Sequence, residues 1–217
     1  MSRGYAYDHA WTQERIRLAG LESALDPGTH AHLLRLGVGP GRRCLEIGAG
    51  GGAIALWLAE HVLPNGKVVA TDLETDFLEQ QAARSPALEV LRHDITVEDL
   101  PTDFDLVHAR WLVQWLPDKR QALRRMLAAL RPGGVLLDDV SAAGFVDAAA
   151  EGRCPVVRGG TPPAAHFLRL TLDKLEPALL ADRTVTAAEY AEAVAVLNDP
   201  SRTIVMPMTV AAWGWRK

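Results

Sequence analysis

The residues with the clearest chemical potential stand together in Cys44-Leu45-Glu46-Ile47-Gly48-Ala49-Gly50-Gly51-Gly52. An apolar run meets an acid and a glycine cluster, then becomes the helix-like stretch Ala53-Ile54-Ala55-Leu56-Trp57-Leu58-Ala59. Glycines at a strand-to-helix turn let the backbone bend sharply and let a ligand approach without interference from a Cβ. The helix start beyond them offers N–H groups to an anionic ligand group. Such a turn suits a nucleotide-like cofactor. Three further polar clusters close apolar runs: Asp72 after Lys67-Val68-Val69-Ala70-Thr71, Asp94 after Leu88-Glu89-Val90-Leu91-Arg92, and His108-Ala109-Arg110 after Phe104-Asp105-Leu106-Val107.

These clusters need a scaffold that brings strand ends to one rim. Apolar periodicity predicts strands at Arg43–Ile47, Lys67–Thr71, Leu88–Arg92, Phe104–His108 and Val135–Asp138. Between them, helices are expected over Gly51–Val62, Phe77–Ala83 and Lys119–Leu130, with Arg131-Pro132-Gly133-Gly134 turning into the last of these strands. Alternating strands and helices define an α/β fold with a doubly wound, mostly parallel sheet. In such a sheet the ligand lies at the carboxyl ends of the strands, near the topological switch point. Glu46 to Gly52, Asp72, Asp94 and His108 to Arg110 all fall at such ends. Ahead of the sheet, Trp11–Leu25 reads as an amphipathic helix, broken by Asp26-Pro27-Gly28 and followed by a short helix Thr29–Leu36.

With 217 residues the chain fits one domain with a substantial core, and its net charge of −4 gives no general attraction to nucleic acid or anionic membrane. Cys44 and Cys154 have no spacing that suggests a metal site or a disulfide framework. Two cysteines, no signal-like N-terminus and no bilayer-length apolar run lead to the expectation of a cytoplasmic protein. The other histidines show no ligand spacing, so no metal is expected. Lys119, Arg120, Arg124 and Arg125 read as a solvated helix face, and Trp111 and Trp115, four apart, as core packing.

The glycine pattern alone admits two cofactors. Gly48-x-Gly50-x-x-Ala53 satisfies the dinucleotide fingerprint in its Gly/Ala form. Glu46-x-Gly48-x-Gly50-x-Gly52 resembles the first motif of class I S-adenosylmethionine-dependent methyltransferases, where an acid two residues before the first glycine is ordinary. The stretches ending at Asp72, Arg92-His93-Asp94-Ile95, Phe104 to Arg110 and Leu130-Arg131-Pro132-Gly133-Gly134 extend the resemblance over nearly the whole chain, closest to the actinobacterial small-molecule group. The resemblance implies a Rossmann-like methyltransferase fold over residues 1–217, with an N-terminal helical lid (1–41), a cofactor-binding core (42–140) and C-terminal strands and helices (141–217).

The same resemblance implies S-adenosyl-L-methionine as cofactor. Asp72 would accept from the ribose hydroxyls with Leu73 against the adenine. Asp94 would accept from the adenine amino group with Ile95 as apolar wall, and Gly48, Ala49, Gly50 and Gly52 would pass beneath the methionine part. Glu46 would serve the amino end, and Ala109 and Arg110 the opening toward the sulfonium. The candidates for a base are His9 and His108; Tyr7, Trp11 and Arg17 join His9 as candidates for the rim. No D/N-P-P-aromatic motif follows the fourth strand, where His108-Ala109-Arg110-Trp111 stands. A small-molecule acceptor, as in secondary metabolism, is therefore expected rather than nucleic acid. The alternative is a methyltransferase-like protein that binds the cofactor without transferring methyl, such as a cyclase-type enzyme or a non-catalytic subunit.

After Val140 the chain is shorter than this resemblance leads one to expect, as though a helix had been deleted. A parallel crossover takes about a dozen residues. A missing helix would leave one face over the fourth and fifth strands bare, so one of two outcomes is expected: residues Val146–Lys217 repack with altered topology, or they pair with a second chain in a homodimer by exchange.

Overall fold

The computed structural model describes residues 13–138 and 146–217. Residues 1–12, and with them Tyr7, His9 and Trp11, lie outside the described residues. The chain divides into two compact units, Met1–Pro27 with Cys154–Met208, and Gly28–Arg153 with Thr209–Lys217. The helix α1 (Glu14–Arg35) contributes to both.

The larger unit is built on a seven-stranded sheet. In chain order it contains β1 (Arg43–Ile47), α2 (Ala53–His61), β2 (Lys67–Asp72), α3 (Asp76–Ala82), β3 (Leu88–Arg92), β4 (Phe104–Ala109), a 3-10 turn (Val113–Trp115), α4 (Lys119–Ala129), β5 (Leu130–Asp138) and β6 (Val146–Arg153). The smaller unit adds β7 (Val156–Arg158), α5 (Ala164–Ala181), α6 (Ala187–Asn198) and β8 (Thr203–Val205), and the chain returns to the sheet as β9 (Thr209–Trp215). The strand order is β3-β2-β1-β4-β5-β9-β6, while β7 and β8 pair by themselves. Strands β1 to β5 run parallel, with β1 paired to both β2 and β4. After β3 the chain returns past β1 to β4 and winds the other way, so the switch point lies at the carboxyl ends of β1 and β4.

Both faces of the central strands are covered, which explains why these strands read as continuous apolar runs. On one face, Cys44, Val68, Ala70, Leu106, Val135 and Leu137 pack with Leu33 of α1 and with Ile54, Ala55, Leu58 and Ala59 of α2. On the other, Leu45, Ile47, Val69, Val107 and Leu136 pack with Ala122, Leu123 and Met126 of α4. Helix α4 starts where Asp118 accepts the Gln121 N–H at 2.9 Å, which satisfies one of the open donors of its first turn.

Three expectations need correction. The chain does not break at Asp26-Pro27-Gly28: α1 runs through with Pro27 inside it. Proline costs one intrahelical hydrogen bond, and the burial of Leu25 and Leu33 on either side holds the helix across it. The turn Arg131 to Gly134 does not precede β5 but lies within it, as an irregularity where Phe104 pairs Leu130 and Leu106 already pairs Val135. Gly133, at φ 76°, takes the left-handed conformation that this bulge requires.

The third correction concerns the C-terminal part of the sheet. It closes within one chain, with β9 antiparallel to β5 and β6 antiparallel to β9, so β6 points the same way as β5. The face over β4 and β5 is covered by α4 rather than bare. The join is long enough because Val135 and Val146 both stand opposite Trp215. Its ends are thus about 14 Å apart, from three residues of strand rise and two strand spacings. A join of residues 139–145 reaches about 26 Å when extended. The dozen-residue requirement applies to a crossover that carries a helix, whereas this gap lies within the reach of seven residues. β6 tolerates this because Asp147, Ala148, Ala149, Ala150, Gly152 and Arg153 are small or charged, so its exposure uncovers no large apolar patch.

The smaller unit packs α1 closely against the start of α5: a Cβ on Gly20 would stand 2.5 Å from the Pro163 carbonyl and 2.7 Å from the Phe167 nitrogen. Beside this contact Glu14, only 1% exposed, bonds Arg17 at 2.6 Å and Lys174 at 3.1 Å. Burial alone would raise the Glu14 carboxyl, but the hydrogen bonds and charge of Arg17 and Lys174 outweigh it and hold it below its ordinary range. Arg17, a candidate for the rim, is thus engaged inside this unit, with its guanidinium also over the Phe167 ring.

Candidate functional site

The candidate residues stand at the carboxyl ends of β1, β2, β3 and β4. The loop after β1 turns through three left-handed glycines, Gly48 (φ 68°), Gly50 (φ 54°) and Gly52 (φ 81°). No side chain but glycine's adopts this conformation cheaply. Gly48 and Ala49 both donate to the Thr71 carbonyl, at 2.8 and 3.0 Å. Gly50 donates to Asp72 Oδ2 at 2.8 Å. The loop is thus tied to the end of β2 by three hydrogen bonds before α2 begins.

The close packing at the loop has sources in distant sequence. The chain leaves β4 through Arg110 and Trp111, and Trp111 holds φ 58°, rare for a bulky residue. The next residue, Leu112, lies against Gly48, where a Cβ would meet its methyls at 3.1 and 3.2 Å. At Gly52 a Cβ would meet Gln81 at 2.8 Å and Leu78 at 3.0 Å, both from α3.

Asp72 therefore has two tasks. Its Oδ2 anchors the loop and its Oδ1 accepts the Glu74 N–H at 3.3 Å. A carboxylate offers about four acceptor positions, so capacity for ligand hydroxyls remains. Leu73 beside it is 43% exposed, an apolar surface at the strand end. Asp94 builds a local turn: its Oδ1 accepts both the Thr96 N–H at 2.8 Å and the Thr96 hydroxyl at 2.6 Å. These bonds hold its carboxyl below the usual carboxylate range. Ile95 is buried, and its carbonyl accepts from Arg125 at 2.9 Å. Arg125, expected on a solvated face, instead clamps this loop, donating to the Thr96 carbonyl as well.

The least legible feature is a buried pair. His108 stands opposite Glu46 in the β1–β4 register, and its Nδ1 donates to Glu46 Oε2 at 2.5 Å. The two are 2% and 4% exposed. Side chains alternate along a strand, so Glu46 shares the face of Cys44, and His108 that of Leu106, toward α1 and α2. Ala109 ends β4 on the other face, fully enclosed. Arg110 donates to the Thr29 hydroxyl of α1 at 3.0 Å. His108 is thus neither an isolated core histidine nor a lone base. A pair 62 residues apart has no local signal; only the alignment of the two strand ends discloses it.

Trp115 departs from the expected core packing, at 61% exposed. It lies in a 3-10 turn, where a four-residue spacing does not return to the same face. Among the described residues no cluster of three potential metal-ligating side chains occurs, and no helix is long and apolar enough to cross a membrane.

Sheet order, glycine loop and strand-end acids define a class, a Rossmann-like α/β fold with a ligand site at its switch point, and the comparisons say which proteins it is similar to. Residues 45–136 match the family model described as a methyltransferase domain. Trans-aconitate 2-methyltransferase of Rhodopseudomonas palustris (strain BisA53) is 34% identical over 95 residues, covering 44% of this chain and 37% of that protein. The matching part thus spans little more than a third of this curated relative's length. Among solved structures, phosphoethanolamine N-methyltransferase 2 of Haemonchus contortus, in complex with S-adenosyl-L-methionine, superposes with a TM-score of 0.58 at 18% identity, covering 95% of this chain and 59% of that one. The cyclase SpnF gives a TM-score of 0.55 at 15% identity, over 89% and 82% of the two chains. These two likenesses concern the fold.

Proposed function

We propose that the chain binds S-adenosyl-L-methionine and methylates a small-molecule acceptor, with secondary metabolism as its setting. The observation that carries this reading is the loop Gly48–Gly52, turned through left-handed glycines and bonded to Asp72 and Thr71 at the switch point. The residues present fit the cofactor: a half-buried carboxylate with acceptor capacity at the end of β2, an apolar Leu73 beside it, and a glycine loop whose one side chain is the Ala49 methyl. When bound, S-adenosylmethionine supplies a methyl group already activated on a sulfonium. The chain then has to bind, orient and exclude water, which accounts for the lack of an obvious catalytic constellation.

In this reading Asp72 binds the ribose, Leu73 and Ile95 hold the adenine between them, and Asp94 accepts from its amino group through the Oδ2 left open by Thr96. Gly48, Ala49, Gly50 and Gly52 carry the methionine part, Glu46 its amino end, and Ala109 and Arg110 border the sulfonium. The acidic balance of the chain speaks against nucleic acid as acceptor. The lid assigned to residues 1–41 and the shortening after β5 belong to the same proposal.

A second reading, cofactor binding without methyl transfer, draws support from the small number of residues, seven, between β5 and β6. The test is incubation with methyl-labelled S-adenosylmethionine and a fractionated small-molecule extract. Label in an organic product supports the transferase. Tight binding of S-adenosylmethionine with no transfer across the extract supports the second reading.

A further inference from the structure

The Glu46–His108 pair has a property that core packing does not explain. Glu46 is 4% exposed, yet only its Oε2 is bonded; among the described residues Oε1 has no hydrogen-bond partner. Nor is Oε1 one of the fully enclosed atoms without a partner, so it meets accessible space. A carboxylate held by one oxygen and open to accessible space through the other presents that second oxygen to a ligand. Its position says which. Glu46 lies two residues before Gly48 at the switch point, on the same face of the sheet as Asp72 by strand alternation. An ionised carboxylate only accepts, so the group that meets Oε1 is a donor, and a cationic donor answers the buried charge best.

We propose that His108 is a positioning residue: by donating from Nδ1 to Oε2 it fixes the Glu46 carboxylate so that Oε1 receives the ammonium group of the cofactor's amino-acid part. This rests on the reading of S-adenosylmethionine as cofactor. Without His108 the carboxylate would rotate about its last torsion, and its aim at the ammonium group would be lost. The imidazole is itself fixed by its place in β4, between the paired strands β1 and β5.

The test compares two ligands that differ only in that amino-acid part. S-adenosylhomocysteine carries it, and 5′-methylthioadenosine keeps the nucleoside and the sulfur without it. Calorimetric titration of both is made against the wild type, Glu46→Gln, His108→Leu and His108→Asn, with melting temperatures recorded alongside. Asparagine places an N–H near the position of Nδ1. The expected result is about tenfold weaker S-adenosylhomocysteine binding for Glu46→Gln and His108→Leu, as for one charge-assisted bond. Methylthioadenosine affinity stays within twofold, and His108→Asn restores most of the loss. Equal weakening of both ligands would reduce the pair to a structural element and overturn the proposal, as would unchanged S-adenosylhomocysteine binding in Glu46→Gln. If His108→Leu does not fold, Glu46→Gln and His108→Asn still decide. A wild type that binds neither ligand would instead sink the cofactor reading itself.

Discussion

Replacing Asp72 separates its two tasks. Its Oδ2 accepts the Gly50 N–H at 2.8 Å, and Oδ1 the Glu74 N–H at a longer 3.3 Å. The first is a charge-assisted bond worth about 1.5–3 kcal/mol in a dry setting. Asp72 is only half-buried, which favours the lower end, so Asp72→Ala should cost about 1–2 kcal/mol of folding stability. The ribose hydroxyls would lose their shared acceptor as well, a further loss of about 1–3 kcal/mol in binding, or about 5- to 150-fold in Kd. Asp72→Asn keeps an oxygen for the Gly50 N–H but not the charge. It should recover at least half of the stability while staying several-fold weaker in binding. Urea unfolding gives the first quantity and titration calorimetry with S-adenosylhomocysteine the second. If Asp72→Ala lowers stability yet binds as tightly as the wild type, Asp72 is a tether for the loop and has no part in the ligand.

Gly52→Ala should destabilise the fold by about 1–3 kcal/mol in urea unfolding, since it combines φ 81° with a Cβ only 2.8 Å from Gln81; a loss under about 0.5 kcal/mol would contradict the loop geometry. Burial pushes the Cys44 thiol up to about 12, whereas Cys154 is exposed. A thiol reagent at neutral pH should therefore modify one cysteine in the native protein and both in denaturant; rapid modification of Cys44 in the folded chain would refute its burial. Glu14 has its carboxyl lowered in the fold, so its contribution is present above the ordinary glutamate range and is lost as pH falls through the lower folded value. Glu14→Gln should flatten the acid limb of the stability profile. It should also cost about 1–3 kcal/mol at neutral pH by removing the charge-assisted bonds that Glu14 makes to Arg17 and Lys174; an unchanged acid limb would contradict this.

How far the sequence announced these features depends on the range of the interactions. β1 and β3 match their expected bounds residue for residue because each is an apolar run closed by polar residues, a signal contained in the strand itself. The glycine loop was legible for the same reason, since its chemistry is local and glycine has few other reasons to cluster. Pro27 misled because its local cost is real but is outweighed by the packing of Leu25 and Leu33, which no local window contains. The place of β9 between β5 and β6 was obscured because the length of a join says little until the register fixes the gap it must span. Arg125 looked like one of four solvated cations; only the fold brings the Ile95 and Thr96 carbonyls beneath it. The Glu46–His108 pair stayed hidden because each residue, read alone, admits a bland role.

The central claim is that the loop Gly48–Gly52 with Asp72 forms a site for S-adenosylmethionine and not for a dinucleotide, although Gly48-x-Gly50-x-x-Ala53 permits either. Titration calorimetry of the wild-type chain with S-adenosylmethionine, S-adenosylhomocysteine and NADH, side by side at the same pH and salt, tests it most directly. The account predicts saturable one-to-one binding of the first two and no heat of binding for NADH. Saturable binding of NADH, with neither adenosyl compound bound, would contradict it.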